Sequence, residues 1–253
     1  MALPSIMSMP PKPLPILDYR ARLSDRKQLN ERFIELDLEL IEPNRIEFRA
    51  GQYIMVKVPG IPHTRSYSIS SAPQVNHAVE LLIDLQPQGP GTKYLDSLQL
   101  GQEIEFKAPV GIFTVPGPDT DLGREENQLI FLATGSGIAP YKGIAEDLLL
   151  DKRDERLITL VWGLRHEIDQ FWYEELQLLA QEHQNFSFQP VLSQPQGEWA
   201  FHKGHITDVL QIQEEFSQTG FYLCGNNAMI LEGRQILAEK GVDPRHIHSE
   251  SFH

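Results

Sequence analysis

Cysteine is almost absent: Cys224 is the only one in 253 residues. One thiol closes no internal disulfide and builds no zinc or iron–sulfur site that takes several thiolates from this chain. Basic residues are also few. The 22 Lys and Arg against 35 Asp and Glu leave a formal net charge of −13, which disfavours nucleic acid and anionic membrane surfaces, since both attract basic patches. No hydrophobic run approaches the roughly 20 apolar residues that span a bilayer. The start of the chain lacks the basic n-region and continuous apolar h-region of a secretory signal. The nine histidines show no metal-ligand spacing with carboxylates, so no metal site is expected. A cytoplasmic protein with no membrane insertion and no nucleic-acid partner is the expectation.

What is present divides the chain in two. Met1 to Pro15 carries five prolines and no charged side chain before Lys12, which predicts an extended arm over residues 1–18. From about Arg20 to Gly111, short alternating or β-branched runs at 33–40, 52–58, 66–70, 79–85 and 103–108 are separated by turn residues. About six strands with few helical stretches predict a small antiparallel barrel over 19–116. Residues 117–127, rich in turn formers and charge, read as the linker. Over 128–253 the pattern changes to apolar runs at 129–133, 157–162, 186–192 and 221–224. Each is followed by a helix-like stretch, at 141–150, 169–182, 206–212 and 228–240, and a last strand-like run at 246–252 ends the pattern. Such alternation predicts a doubly wound α/β domain with a parallel sheet, whose ligands bind beyond the carboxyl ends of the strands.

Four motifs carry chemistry, and each also has a plain structural reading. The run 129–133 leads into Thr134-Gly135-Ser136-Gly137-Ile138-Ala139-Pro140, a strand ending in two glycines and opening a helix. That arrangement admits a pyrophosphate to backbone N–H groups, or makes an ordinary tight turn. Gly89-Pro90-Gly91-Thr92 precedes a short helical segment, with Thr92 a capping candidate and the helix start a possible phosphate seat. Arg65-Ser66-Tyr67-Ser68 reads as a half-buried strand. It also offers a guanidinium for phosphate, a ring to cover a flat cofactor and a hydroxyl for a ring nitrogen. Cys224 at a strand end is either a small buried hydrophobe or a functional thiol.

Taken together and in this order, these segments resemble the ferredoxin–NADP reductase superfamily, over nearly the whole chain after the proline arm. The resemblance implies a Greek-key flavin barrel followed by an NAD(P)-binding α/β domain, as a stand-alone reductase without a fused iron–sulfur domain. It implies an enzyme that takes a hydride from NAD(P)H onto FAD, with FMN the lesser alternative. Electrons then pass singly to a separate acceptor protein: a ferredoxin, a flavodoxin or the iron–sulfur component of an oxygenase. By the same resemblance Arg65 holds flavin phosphate, Ser66 belongs to the same element, Tyr67 stacks on the isoalloxazine and Ser68 hydrogen-bonds near the reactive nitrogen. Ile83 and Leu85 give backbone contacts, and Gly91 and Thr92 hold the pyrophosphate. Thr134, Gly135, Gly137, Arg165, Ser193 and Gly225 fall in the nicotinamide-nucleotide elements, and Cys224 lies near the transferred hydride. Glu250 completes a polar network with Ser68 and Cys224, beside Phe252.

The sequence departs from the family pattern in two places. Ser193-Gln194 stands where NADP-specific relatives have Ser-Arg, which leaves NADH and NADPH both open with a lean to NADH. Asp84 stands where many relatives are basic, so phosphate support there is weaker or differently arranged. Two alternatives remain beside a protein-reducing enzyme: a reductase of free flavin, quinone or haem protein, and a non-autonomous electron-transfer or regulatory subunit of a larger complex.

Overall fold

The computed structural model describes residues 13–212 and 216–252; residues 1–12, most of the proline arm, lie outside the described residues. The first half is an antiparallel sheet of six strands: β1 (Leu17–Gln28), β2 (Phe33–Glu42), β3 (Tyr53–Val56), β4 (Arg65–Ser68), β5 (Ala78–Asp84) and β6 (Glu103–Val110). Their order is β4-β3-β6-β1-β2-β5, and an Ile69–Leu81 bridge all but closes the sheet into a barrel. Alternation sends Leu36, Leu38, Ile54, Val56, Leu81, Ile83, Ile104 and Phe106 into one core. The central strand β1 is the one that the apolar pattern did not single out. Tyr19, Ala21 and Leu23 face the core, while Arg20 and Arg22 on the wet face pair with Glu103, Glu42 and Glu39.

Helix α1 (Pro90–Ser97) starts earlier than the sequence suggests. Gly89 is its N-cap and Pro90 takes the first turn, where a missing N–H costs nothing. Thr92 therefore sits inside the helix, buried, and does not cap it. The stretch read as a linker holds a short helix, α2 (Asp121–Glu125), capped by the Thr120 hydroxyl, which accepts from the Gly123 amide at 3.0 Å.

The second half is a five-stranded parallel sheet, β7 (Gln128–Thr134), β8 (Leu157–Leu164), β9 (Phe186–Leu192), β10 (Thr219–Gly225) and β11 (Ile247–Ser251), in the order β11-β10-β7-β8-β9. Central strands β7 and β10 are apolar on both faces because helices cover both. On one face pack α3 (Ala139–Glu146, prolonged by a π turn at Asp147–Asp151) and α4 (Tyr173–Glu182); on the other, α5 (Ile206–Ile212) and α6 (Asn227–Glu239). The helix expected over 169–182 is shorter. Trp172 adopts φ 54° and breaks it, because Phe171 and Trp172 turn inward: Phe171 packs on Phe33 and Trp162, and the Trp172 indole donates to Glu35 at 2.7 Å. Among the described residues no helix is long and apolar enough to cross a membrane.

The two halves meet along α3. Phe33, Ala50, Leu82 and Phe113 of the first half belong to the same apolar cluster as Phe131, Tyr141 and Trp162 of the second. Lys142 donates to Glu80 at 3.0 and 3.2 Å with both side chains largely shielded. Burial opposes the charge on Lys142, but Glu80 and Glu146 more than offset it and hold its pKa above the ordinary lysine value. Beside this pair, a Cβ on Gly143 would lie 2.5 Å from the Ser71 carbonyl oxygen, so backbone meets backbone there. Gly143→Ala should lower stability by roughly 1–3 kcal/mol through overpacking in denaturant unfolding; an unchanged midpoint would show that α3 does not press on the barrel at this point.

Candidate functional site

Doubly wound sheets place ligands where the strand order reverses, outside the carboxyl ends. Here the order reverses between β7 and β10. The two strand ends are tied together at that point: the Thr134 hydroxyl accepts from the Asn226 amide at 3.1 Å. Gly225 at φ 138° leaves no room for a Cβ, which would lie 2.1 Å from the Thr134 hydroxyl. The chain then leaves β7 through Gly135 at φ 53° into a 3₁₀ turn, Gly135–Ile138, that runs into α3. The Trp162 indole donates to the Gly135 carbonyl at 2.9 Å and fixes the turn. No side chain caps the amides of this turn, so they are available to a ligand.

Facing this switch point is the barrel edge formed by β4. Ser68, Tyr67, Ser66 and Arg65 pair in register with Tyr53, Ile54, Met55 and Val56 of β3. The opposite side of β4 has only the Ile69–Leu81 bridge to β5, which leaves the motif open toward the second half. The N-terminus of α1 comes up beside it. A Cβ on Gly91 would lie 2.5 Å from the Tyr67 hydroxyl and 2.8 Å from Arg65 Cγ, so glycine is required for the helix start to nest against the Arg65–Tyr67 face. The Arg65 guanidinium donates to the His63 and Thr64 carbonyls at 3.2 and 3.0 Å.

Between these walls lies a cleft of about 1260 Å³. That exceeds the roughly 300–1,000 Å³ of a pocket for one drug-sized ligand. It is lined from the barrel by Arg65, Ser66, Tyr67, Ser68, Gly91 and Thr92, and from the α/β half by Thr134, Gly135, Arg165, Ser193, Gly225, Glu250 and Phe252. The residues present fit a dinucleotide flavin and a nicotinamide nucleotide. The Gly91 cradle and α1 start offer one phosphate seat and the Gly135 turn another, and Thr207 in the wall holds a buried hydroxyl without a partner.

Four of the sequence-derived residues stand apart from the cleft lining. Ile83 points into the barrel core. The Leu85 amide donates to the Arg32 carbonyl at 2.8 Å and its carbonyl accepts from the Gln88 side chain at 2.7 Å. Gly137 packs on β10, where a Cβ would lie 2.3 Å from the Cys224 carbonyl oxygen. Cys224 is fully buried behind the cleft, and burial, with Glu250 nearby, pushes its thiol well above the ordinary value. The thiol is therefore neutral at physiological pH. Several lining residues carried no motif: Arg32, Tyr53, Asp84, Thr207 and Glu232. Tyr53 was legible only as a strand residue. In the fold it pairs with Ser68, packs on Gly111 and feels the charge of Glu250.

Glu250 pairs in register with Cys224, and burial pushes its carboxyl up to about 7. Folding thus favours the protonated form. Its contribution to stability is fully present below the ordinary value of 4.5 and is lost as pH rises through about 7. Glu250→Gln cannot ionise, so between about pH 5 and about pH 8 it should gain on the parent by roughly 1–3 kcal/mol in denaturant unfolding; parallel pH profiles would contradict the burial of this carboxyl.

Residues 20–115 match the family described as the oxidoreductase FAD-binding domain, and residues 131–234 the oxidoreductase NAD-binding domain. The chain is 33% identical over 244 residues to the reductase component of phenol 2-monooxygenase from Pseudomonas sp. strain CF600, covering 94% of this chain and 67% of that one. It is 33% identical over 219 residues to the reductase subunit of an aromatic O-demethylase from Amycolatopsis, covering 85% and 63%. The chain therefore spans about two thirds of the length of these relatives. Among solved structures, the Amycolatopsis cytochrome P450 reductase GcoB superposes with a TM-score of 0.84 at 29% identity, over 94% of this chain and 70% of that one. A ferredoxin NADP+ reductase from Neisseria gonorrhoeae with bound FAD and NADP shares the fold, with a TM-score of 0.76 at 22% identity over 93% and 98%. With both domain families matched in sequence and the switch point facing the barrel edge, the chain belongs to the ferredoxin–NADP reductase superfamily of FAD-dependent, NAD(P)H-oxidising reductases.

Proposed function

We propose that the protein is the NAD(P)H-oxidising member of an electron-transfer pair, delivering electrons one at a time to a separate acceptor protein such as a ferredoxin, a flavodoxin or the iron–sulfur component of an oxygenase. The observation that carries this reading is the cleft itself, in which the Arg65–Ser68 strand of the barrel and the Gly135 turn of the parallel sheet form opposite walls. When bound there, FAD supplies the redox chemistry, taking two electrons as a hydride and giving them up singly.

The chain's own residues then have defined tasks. Arg65, Gly91 and Thr92 bind flavin phosphate, and Tyr67 covers the ring. Ser68, buried at the floor, donates a hydrogen bond at the reacting edge. Thr134, Gly135, Arg165, Ser193 and Gly225 seat the nicotinamide nucleotide; Ile83, Leu85 and Gly137 support these elements through backbone. Cys224, whose neutral thiol is buried behind the cleft beside Glu250, supports the nicotinamide side of the wall from behind and does not attack. Glu250 holds a proton near neutrality in the cleft wall, where it balances charge changes at the reduced flavin. Phe252, whose amide donates to the Gly225 carbonyl at 2.9 Å, helps exclude water.

An acceptor on another molecule is supported by the relatives, which are named as reductase or electron-transfer components of oxygenases, among them toluate 1,2-dioxygenase of Pseudomonas putida. The proposed division is an arm to residue 18, a flavin barrel over 19–116, a connector over 117–127 and an NAD(P)-binding domain from 128, in a protein working in the cytoplasm. Steady-state assays with NADH and NADPH test the reading: one-electron protein acceptors should be reduced much faster than free flavin or quinone. Rapid reduction of free flavin or quinone with inert protein acceptors would overturn it.

A further inference from the structure

Arg32 carries no motif, yet it is the residue most tightly aimed at the glycine turn from the opposite half. It sits at the end of the β1–β2 turn, whose backbone is pinned on both sides. Asn30 Oδ1 accepts from the Arg32 and Phe33 amides, each at 2.9 Å, and the Arg32 carbonyl accepts from the Leu85 amide. The turn reaches across to the second half, where the Asn30 side-chain amide donates to the Ile168 carbonyl at 3.3 Å. The guanidinium is held as firmly as the backbone. Its Nε and Nη2 donate to the two carboxylate oxygens of Asp84 at 2.9 and 2.5 Å, and its carbon lies 4.8 Å from the centre of the Phe33 ring.

That fork uses two of the five N–H donors an arginine has; Nη1 makes no hydrogen bond to a described residue. Arg32 lines the cleft, and its Nη2 lies 4.0 Å from the position a Cβ would take on Gly135. Gly135 begins the turn whose amides no side chain caps. A fixed cation therefore stands across from the start of a turn that its N-cap side chain leaves uncapped, the two halves of an anion clamp. Asp169 is the other acidic charge felt by Arg32. Asp84 orients the arginine through this fork.

We propose that Arg32, braced by Asp84, binds the pyrophosphate of the nicotinamide nucleotide from the barrel side and closes the phosphate site that the Gly135 turn opens. The assignment rests on the reading of the cleft as a flavin and NAD(P)H site. Of the two phosphate sources, the nicotinamide nucleotide is the one that enters along Gly135, whereas flavin phosphate belongs at Gly91.

The test is calorimetric titration of the flavin-loaded protein with NAD+, ADP and adenosine, for the parent, Arg32→Gln and Arg32→Lys. Loss of charge-assisted hydrogen bonds should weaken NAD+ and ADP binding to Arg32→Gln about tenfold or more, with adenosine unaffected and flavin content unchanged. Arg32→Lys keeps the charge without the fork and should fall between. Unchanged ADP affinity alongside a lowered melting temperature would reduce Arg32 to a strut between the halves. Flavin loss with intact ADP binding would assign the edge to flavin phosphate, and an equal defect for adenosine would mean that the variant disturbs the fold; each overturns the proposal. Failure of the parent protein to bind any of the three ligands would instead contradict the underlying reading of the cleft.

Discussion

The site exists because one helix is pressed against the barrel. Helix α3 begins at the Gly135 turn, which lines the cleft. One turn further on it lays Gly143 against the backbone of Ser70 and Ser71 and sends Lys142 into the barrel carboxylates. The absence of a side chain at Gly143 sets the spacing, and the Lys142–Glu80 pair sets the register. Shielded pairs of this kind contribute little net stability, but breaking one leaves an uncompensated buried charge at a cost of roughly 3–5 kcal/mol. Around Lys142 the Glu35, Glu80 and Glu146 carboxylates are gathered close, with Glu35 and Glu146 raised above their ordinary values by burial first and by like charge second. Lys142 is the cation this cluster shares at the seam between the halves.

The charge distribution follows from the same arrangement. A chain with a net charge of −13 nonetheless gathers cations at the cleft, and it does so from separate elements: Arg65 on β4, Arg165 after β8 and Arg32 before β2 all line it. The neutral thiol of Cys224 and the near-neutral carboxyl of Glu250 occupy the floor behind them. On the proposed reading, phosphate binding falls to the arginines and proton handling to the buried groups, where low dielectric gives each hydrogen bond more weight.

Much of this was legible in the residues. The parallel strands read directly because burial on both faces makes them continuous apolar runs, and the glycine turn read because strand, glycines and Pro140 stand in sequence. The central barrel strand β1 did not, because its core face is only Tyr19, Ala21 and Leu23 among charges that pair with neighbouring strands. Trp172 broke an expected helix because inward packing of two aromatics outweighs local propensity. The region 117–127 looked like a connector, yet it forms α2 and leads into Glu126, which is buried, accepts from the Tyr222 hydroxyl at 3.0 Å and lies 3.0 Å from His246. Arg32 was invisible because a charged residue beside a turn reads as solvated. Only the register that brings Asp84 and Gly135 to it gives it a direction.

Anaerobic titration of the purified flavoprotein with NADH and NADPH in parallel, followed by the flavin absorbance, tests most directly that the two walls bring the reactants together. Stoichiometric bleaching of the bound flavin by at least one nucleotide is expected. A bound flavin that stays oxidised in the presence of both would contradict it.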